Sequence, residues 1–417
     1  MLKRMFAPLL ALKGNPRYAV FTEPLWGIPW NLYAPFFTLF MFSLGLGDAD
    51  IGVLLTVGLV IQMIAGIFGG VLADKFGRRK TNIIWDNLAW TVPCLVWAFA
   101  QDFRWFLVAA AFNALWPIGA NAWECLLVED AEPKNITQIY NWIYVGGVLA
   151  AFMAPISALL IRDFDFIMVM RVLFIFSAVL MASKFAIHIY FATETGQGVI
   201  RMKETASTPI WELIVQYKSV LWQIFSTPAT LRVLLLMIFL QIQHLVAGSF
   251  FPLLVTQDLG LPVYRLAWFT VLRGGVMLIF FLLLQRVLNR FSIYWVMIVG
   301  LVLYIGAYIL LIFTPVGFLL PLLVFTVVDA SAAALFMPRR DTLVFNNVDP
   351  AERSRIRSMM TVIVLGAASP FGIIIGRISE YNRQIPFIVA IGLFVVIGII
   401  VLIERWKNNA SDGSATA

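Results

Sequence analysis

The sequence predicts an all-α membrane protein in which twelve transmembrane helices form two pseudo-symmetric six-helix bundles. Of its 417 residues, 61% are hydrophobic and only 13% are charged, and the mean hydropathy is +0.89. Soluble domains carry about 25% charged residues. Twelve apolar runs approach the roughly 20 residues that an α-helix needs to cross a membrane. We therefore expect neither a soluble enzyme nor a nucleic-acid-binding protein.

The apolar runs fall into two groups of six, numbered spans 1 to 12 in chain order. The first six are expected near residues 20–44, 51–73, 81–100, 105–128, 138–161 and 166–191. The second six are expected near residues 230–256, 264–285, 293–313, 317–338, 358–378 and 386–404. Val276–Leu284 is continuously apolar, whereas the strands of a membrane β-barrel alternate in hydrophobicity over about ten residues. Helices are therefore favoured.

Basic residues indicate the orientation of the chain. When the N-terminus is placed in the cytoplasm, nearly all Lys and Arg residues outside the spans face the cytoplasm as well. The exceptions are Arg104, Arg162, Arg265 and Arg383. Because loops rich in Lys and Arg stay on the cytoplasmic side, we expect a multi-pass protein of the plasma (inner) membrane with both termini in the cytoplasm.

The positions of the spans divide the chain into four parts. These are an N-terminal six-helix bundle (1–191), a cytoplasmic linker (192–229), a C-terminal six-helix bundle (230–406) and a disordered tail (407–417). In the linker, Ile210, Leu213 and Tyr217 recur at helical spacing, which predicts an amphipathic helix at the membrane surface. The two halves also resemble each other, since Pro155 in span 5 and Pro370 in span 11 both follow an acidic, proline-containing turn.

The loop between spans 2 and 3 carries the most specific motif. Residues 70–80 read Gly-Val-Leu-Ala-Asp-Lys-Phe-Gly-Arg-Arg-Lys. This resembles the signature loop of the major facilitator superfamily, with every key position occupied. The resemblance implies a transporter fold of two bundles around a central cavity. It also implies that Asp74, Gly77 and Arg78 form a latch between conformations.

The chemistry of these three residues agrees with such a role. The Asp74 carboxylate can accept hydrogen bonds from a helix N-terminus, and Gly77 permits a tight reversal of the chain. Arg78 can bridge to a carboxylate such as Glu129 or Asp130. A solvated basic loop that only fixes the topology is the alternative, but it would need neither Asp74 nor Gly77.

A second family feature is altered. Drug antiporters often carry a Gly-rich run in span 5 that ends in Gly-Pro-x-x-Gly-Gly. Here Gly146 and Gly147 are followed later by Ala154 and Pro155. This departure favours symport over drug antiport.

Polar side chains within the spans are candidates for a binding site, because an ionisable group at bilayer depth costs about 2.5 kcal/mol or more. The resemblance places spans 1, 4, 7 and 10 around the cavity. The candidate solute-binding residues of the first half are Trp30, Asn31, Asn113, Trp116 and Asn121. Asn and Trp together suit hydrogen bonding and stacking with an organic solute; packing aromatics with satisfied amides are the alternative.

The second half offers Gln241, His244, Arg273 and Asp329 as solute-binding candidates. Arg273 and Asp329 lie at comparable depth, and an unpaired charge there would be costly, so we expect them to approach one another. Either Arg273 binds an anionic group while Asp329 takes up a proton, or the two form a static salt bridge.

The candidate proton-coupling residues are Asp329, Glu124 and Asp86. Glu124 and Asp86 each lie one to two turns from the cytoplasmic end of their span. Lys184 and His188, in span 6, are expected to snorkel to the cytoplasmic interface.

The sequence thus predicts a proton-coupled secondary transporter of a small organic solute that acts by alternating access. A multidrug efflux antiporter of the same fold is one alternative, and a transporter-like receptor that binds a solute without flux is another. We expect a monomer in the lipid bilayer, without catalytic activity, nucleic-acid partner or cofactor. A metal site is not expected, since His188 and His244 are the only histidines and Cys94 and Cys125 lie in apolar stretches.

Overall fold

A computed structural model describes residues 12–215, 217–288, 290–346 and 353–415. Within these ranges the chain folds into helices joined by short turns, without β-strands. The predicted all-α fold class is confirmed.

Ten helical spans in the described part of the chain are long and apolar enough to cross a membrane. They are Asp48–Phe76, Phe103–Val128, Gln138–Asp163, Phe166–Phe191, Pro228–Asp258, Val263–Leu284, Ile293–Ile312, Leu319–Val344, Ile356–Tyr381 and Ile385–Trp406. They correspond to predicted span 2 and predicted spans 4 to 12.

Spans 1 and 3 are also helical, but their sequences are less regular. Span 1 consists of the helices Gly14–Thr22, Pro24–Tyr33 and Phe37–Ser43, with a 3₁₀ turn at Ala34–Phe36. Pro24 begins the second helix, Pro29 lies inside it, and a proline also occupies the 3₁₀ turn. Because proline lacks the N–H of a helical residue, it interrupts the hydrogen-bond pattern here. Span 3 is a continuous helix, Arg78–Ala98, whose apolar face is broken by buried Asn82 and Asp86.

Packing within each half buries the apolar faces of the spans. In the first half, span 3 packs mainly against spans 4 and 6, and span 1 packs against spans 5 and 6. In the second half, span 9 packs against spans 10 and 12. The halves meet chiefly where span 2 contacts span 11, and again where span 5 contacts span 8.

Small residues allow spans 2 and 11 to approach closely. A Cβ added at Gly52 would lie 2.5 Å from the carbonyl oxygen of Gly372, and one added at Gly376 would lie 2.7 Å from that of Asp48. One turn further along, the Thr56 hydroxyl donates to the Ser369 carbonyl (2.7 Å) and accepts from the Ile373 N–H (2.9 Å). Such contacts between small residues are typical of tightly packed membrane helices.

Replacing Gly376 with alanine is expected to lower the midpoint of thermal unfolding, because overpacking a tight contact costs about 1–3 kcal/mol. Gly392 in span 12 is the matched control, since a Cβ there meets nothing within 4 Å. The comparison is made on purified protein in detergent. Equal midpoints for Gly376→Ala and Gly392→Ala would show that spans 2 and 11 are not held this closely.

The linker is largely helical. Helices Ile210–Val215 and Tyr217–Ser226 occupy the segment predicted to be amphipathic. Val220 and Ile224 are buried in a cluster with residues of spans 7 and 11, whereas Trp211 and Trp222 are 71% and 76% exposed. This division of faces agrees with the predicted amphipathic character.

Two further helical segments were not expected. Helix Gly196–Thr205 lies in the linker, where the Thr195 hydroxyl caps it by accepting from the Gly198 N–H (2.9 Å). The last helix continues from Ile385 to Ala415, although the sequence predicts a disordered tail from residue 407. The tail from residue 407 contains no proline that would end the helix. Extending an existing helix is also easier than starting one, because each added hydrogen bond fixes only one further residue. Residues 416 and 417 lie outside the described range, and the predicted domain boundaries stay predictions.

Candidate functional site

Arg273 and Asp329 form an ion pair between spans 8 and 10, as their depth in the sequence predicts. The pair is asymmetric, since the Arg273 side chain is 44% exposed and that of Asp329 only 5%. Tyr304 of span 9 and exposed His244 of span 7 lie within electrostatic range of Arg273. A buried carboxylate therefore holds a guanidinium whose remaining donors can reach a ligand.

The glutamines of span 7 have different environments. Gln241, the predicted binding residue, is half-buried. Gln243 is buried and donates to the Tyr308 hydroxyl at 2.6 Å. Gln243 therefore links spans 7 and 9, and Gln241 and His244 are the polar side chains of this span that are open to a ligand.

Trp30 belongs to a group of three stacked tryptophans between spans 1 and 3. Its ring stacks on Trp26 at a centroid distance of 5.8 Å, and the edge of Trp90 contacts both rings at 5.8 Å and 5.2 Å. Trp30 is 38% exposed, so one aromatic face of this group is accessible. We call Trp26, Trp30 and Trp90 the tryptophan cluster. Such a face can stack with a planar organic solute.

The predicted asparagines are less free than the tryptophans. Asn31 donates to the Gly27 carbonyl at 2.8 Å, one turn earlier in its own helix. Asn113 donates to the Ala89 carbonyl at 2.9 Å and so joins spans 4 and 3. Trp116 is half-buried just after this contact. The amide oxygens of the asparagines are the groups still available to a ligand.

Asn121 and Glu124 do not lie with the tryptophan cluster. Asn121 follows Asn113 by eight residues, which corresponds to about 12 Å along a helix. It lines a cavity of about 260 Å³ near the signature loop, together with Asp74, Arg78 and Ser358. Glu124, one turn further on, is exposed. The expected single set of solute-binding residues is therefore divided between two levels of the membrane.

Asp86 is buried in a polar network that the sequence does not reveal. Asn82 donates to its carboxylate at 2.6 Å. Lys184 and Glu23 form an ion pair at 3.0 Å, and both lie within electrostatic range of Asp86. Lys184 and His188 are buried, so the expectation that they snorkel is wrong. Lys184 pairs with the Glu23 carboxylate of span 1 inside the bundle, and this ion pair replaces the contact with water that snorkelling would provide.

The signature loop, residues 70–80, forms a network of ion pairs. Arg78 pairs with Asp74 at 2.6 Å and with Glu129 at 3.2 Å, as the sequence predicts for Glu129. Asp74 also pairs with Arg201 of the linker at 2.9 Å, and this contact raises the pKa of Arg201. The Thr195 hydroxyl donates to Glu129. The loop therefore joins the first half to the linker.

The carboxylate at the start of span 3 belongs to Glu194 and not to Asp74. The backbone N–H groups of Arg78 and Arg79 donate to Glu194 at 2.9 Å and 3.1 Å. Gly77 takes a φ of +90°, as a tight turn requires, and a Cβ there would lie 2.4 Å from the Glu194 carboxylate. The expectation that Asp74 accepts hydrogen bonds from a helix N-terminus is wrong, because its two carboxylate oxygens accept from Arg78 and Arg201 instead.

Gly77→Ala is expected to destabilise the protein more than Gly45→Ala. Both glycines have a φ near +90°, where an L-residue pays about 1–3 kcal/mol. A Cβ at Gly45 meets nothing within 4 Å, so only the substitution at Gly77 also displaces the Glu194 carboxylate from the start of span 3. Thermal unfolding of the two purified variants measures the difference. Equal losses of stability would mean that the Glu194 contact contributes nothing.

A second ion network joins the two halves at the ends of the spans opposite the signature loop. Asp48, at the start of span 2, is 2% exposed and accepts from the Ser379 hydroxyl at 2.6 Å. It also accepts from Arg383 at 3.0 Å and 3.1 Å, and Arg383 donates to Asp258 at 2.8 Å. Burial lowers the pKa of Arg383, but the hydrogen bonds to Asp48 and Asp258 outweigh it, so the pKa is raised. We call these four residues the outer gate. None of these residues was predicted as a site residue, because only the fold brings spans 2 and 11 together.

A family model described as Major Facilitator Superfamily matches residues 25–363. A probable 4-methylmuconolactone transporter of Cupriavidus pinatubonensis is 30% identical over 28% of this chain and 27% of its own length. The nitrate/nitrite transporter NrtP of Nostoc punctiforme is 33% identical over 31% and 27%. The multi-drug resistance efflux pump PmrA of Streptococcus pneumoniae is 30% identical over 25% and 27%. The chain thus matches about a quarter of the length of these curated relatives.

Solved structures resemble nearly the whole chain. The nucleoside transporter NupG superposes with a TM-score of 0.71, at 15% identity, over 94% of this chain and 98% of that one. A peptide transporter POT in complex with sulfate gives a TM-score of 0.71, at 14% identity, over 94% of both chains. At these identities the likeness shows the shared fold.

Proposed function

Since the chain belongs to the major facilitator superfamily, we propose that it is a secondary active transporter that moves a small organic solute by alternating access. One observation carries this proposal. The outer gate holds the two halves together on one side, whereas on the other side a cavity is lined by Asp74 and Asn121 of the first half and Ser358 of the second. Alternating access requires that such contacts open and close in turn. Transport, and not catalysis, is the activity that this arrangement supports.

The solute-binding surface combines an aromatic and a cationic part. The exposed face of Trp30 stacks with the organic body of the solute, and Arg273 binds an anionic group of it. Binding draws Arg273 away from Asp329, and this buried carboxylate then takes up a proton. Coupling to H⁺ in the symport direction follows from this exchange of partners. Glu124 is exposed near the cytoplasmic end of span 4 and passes protons to water.

The protein is proposed to act as a monomer in the plasma (inner) membrane, with both termini in the cytoplasm. Asp74, Gly77 and Arg78 serve as the latch, because their network ties span 2 to the linker that connects the two halves. No cofactor is part of this proposal.

A multidrug efflux antiporter is the second candidate. The tryptophan cluster favours it, since an aromatic face accepts many apolar solutes, and one relative is named as such a pump. The altered glycine pattern of span 5 argues against it. A receptor that binds a solute without flux is the third reading, and the flux assay separates it from both transporters.

A thermal-shift screen of solutes on the purified protein, followed by flux of each hit in proteoliposomes, tests the proposal. Flux is measured with and without an imposed pH gradient, and protein-free liposomes are the control. Uphill movement that collapses with the gradient is expected, in the direction of the protons for symport. Movement against the protons would establish the antiporter, and binding without flux would establish the receptor.

A further inference from the structure

Four buried residues of the first half form a directional chain of hydrogen bonds. His188 Nε2 lies 2.9 Å from the Thr22 hydroxyl, and His188 Nδ1 lies 3.3 Å from the Asn82 amide oxygen. Because that oxygen can only accept, the neutral histidine carries its proton on Nδ1. Asn82 in turn donates to Asp86 at 2.6 Å. The chain therefore ends on a carboxylate, and the donors of His188 and Asn82 point toward Asp86.

The charges around this carboxylate do not cancel. Span 1 contributes Glu23, span 6 contributes Lys184 and neutral His188, and span 3 contributes Asp86 itself. Two carboxylates thus share one ammonium group. Lys184 pairs with Glu23 at 3.0 Å, whereas Asp86 accepts a hydrogen bond from the uncharged Asn82. One excess negative charge in a buried site is costly, and a bound proton removes it.

The space around Asp86 is shaped for its carboxyl group. A Cβ added at Gly119 of span 4 would lie 2.3 Å from the nearer carboxylate oxygen and 2.8 Å from the Asp86 backbone nitrogen. Gly119 therefore leaves the room that the carboxyl group occupies. The absence of a side chain here lets spans 3 and 4 enclose Asp86 between them.

We propose that Asp86, with Glu23 and Lys184, forms a proton-binding site in the first half of the protein, separate from the Arg273–Asp329 pair. Trp90 connects this site to the solute-binding surface, since it lies one turn after Asp86 on span 3 and its ring contacts Trp30. A solute that stacks on Trp30 displaces Trp90 and so changes the surroundings of Asp86 one turn away on the same helix. This link to the solute rests on the proposed transport function, whereas the proton binding does not.

Infrared difference spectroscopy of the protein in liposomes, between acid and alkaline buffer and without any solute, tests the site. A protonated buried carboxyl group gives a C=O band that neither carboxylate nor amide groups produce. We expect such a band at acid pH in the unsubstituted protein and its loss in Asp86→Asn. Asp163→Asn is the matched control, because its carboxylate is exposed and pairs with Arg162, and it should retain the band.

The charge argument gives a second test that does not depend on the Asp86 variant. Glu23→Gln removes the excess charge, because Lys184 is then released to pair with Asp86, so the band should be lost. Glu23→Gln with Lys184→Met restores one net negative charge, so the band should return. A band that survives in Asp86→Asn or in Glu23→Gln alone would overturn the proposal. If the infrared test contradicts the proton-binding site, the result says nothing about solute flux. If no solute flux is found, the expected infrared band is not affected.

Discussion

Replacing Arg273 with alanine is expected to destabilise the protein by about 3–5 kcal/mol, whereas Asp329→Asn should cost far less. The difference follows from the unequal burial of the two side chains, 44% and 5% exposed. Removing Arg273 leaves the Asp329 carboxylate without a counter-charge in a low-dielectric environment. An unpaired buried charge of this kind has a large free-energy cost. Removing the charge of Asp329 leaves a guanidinium that is still half in contact with solvent, so its cost is discounted.

The double variant Arg273→Ala/Asp329→Asn separates stability from function. Because it leaves no unpaired charge, it should unfold at a higher temperature than Arg273→Ala alone. Uphill solute accumulation in proteoliposomes should nevertheless stay at background in all three variants. Asp329→Asn should retain exchange of solute across the membrane, since this needs no net proton movement. If Asp329→Asn accumulates solute at the wild-type level, the Arg273–Asp329 pair is only a static salt bridge.

The same pair illustrates what the sequence can reveal. Arg273 and Asp329 lie at comparable positions of two apolar runs, and the cost of an isolated charge leaves mutual pairing as the simplest solution. The spans and the signature loop were predictable for a similar reason, because length, apolar composition and local spacing are encoded by neighbouring residues. The fold class needed no information about packing.

Contacts across long sequence separations were not predictable in this way. Lys184 and Glu23 are 161 residues apart, and Arg383 and Asp48 are 335 apart. Each lies near the end of a span, where snorkelling to water is an equally good solution for a single charged residue. Only the packing of spans 1, 3 and 6, and of spans 2 and 11, decides that these charges meet.

The outer gate leads to the second large effect, on the balance between conformations. Asp48→Asn is expected to raise the ratio of outward-open to outward-closed molecules by roughly 10- to 100-fold, because charge-assisted hydrogen bonds contribute about 1.5–3 kcal/mol. The distance between spin labels at Phe164 and Tyr381 reports the change, since both side chains are exposed at the outer ends of different halves. The labels are placed in a Cys125→Ser background, in which the remaining Cys94 is buried.

Arg383→Ala should open the outer side further than Asp48→Asn does. With Arg383 absent, the Asp48 carboxylate is unpaired in the closed state, where it is 2% exposed. The open state returns this carboxylate to water, so the desolvation penalty falls on the closed state alone. Asp48→Asn removes the charge and with it the penalty.

Asp102→Asn is the control for both gate variants. This carboxylate also lies at the outer side, but it is exposed and accepts from the Arg104 N–H within its own half. The expected order of opening is therefore Arg383→Ala, then Asp48→Asn, then Asp102→Asn, which should match the unsubstituted protein. An equal distribution of distances in all three would mean that the small-residue contacts of Gly52, Gly372 and Gly376 hold the outer side closed without the ion pair. The reverse order of the first two would mean that Arg383 itself favours the open state.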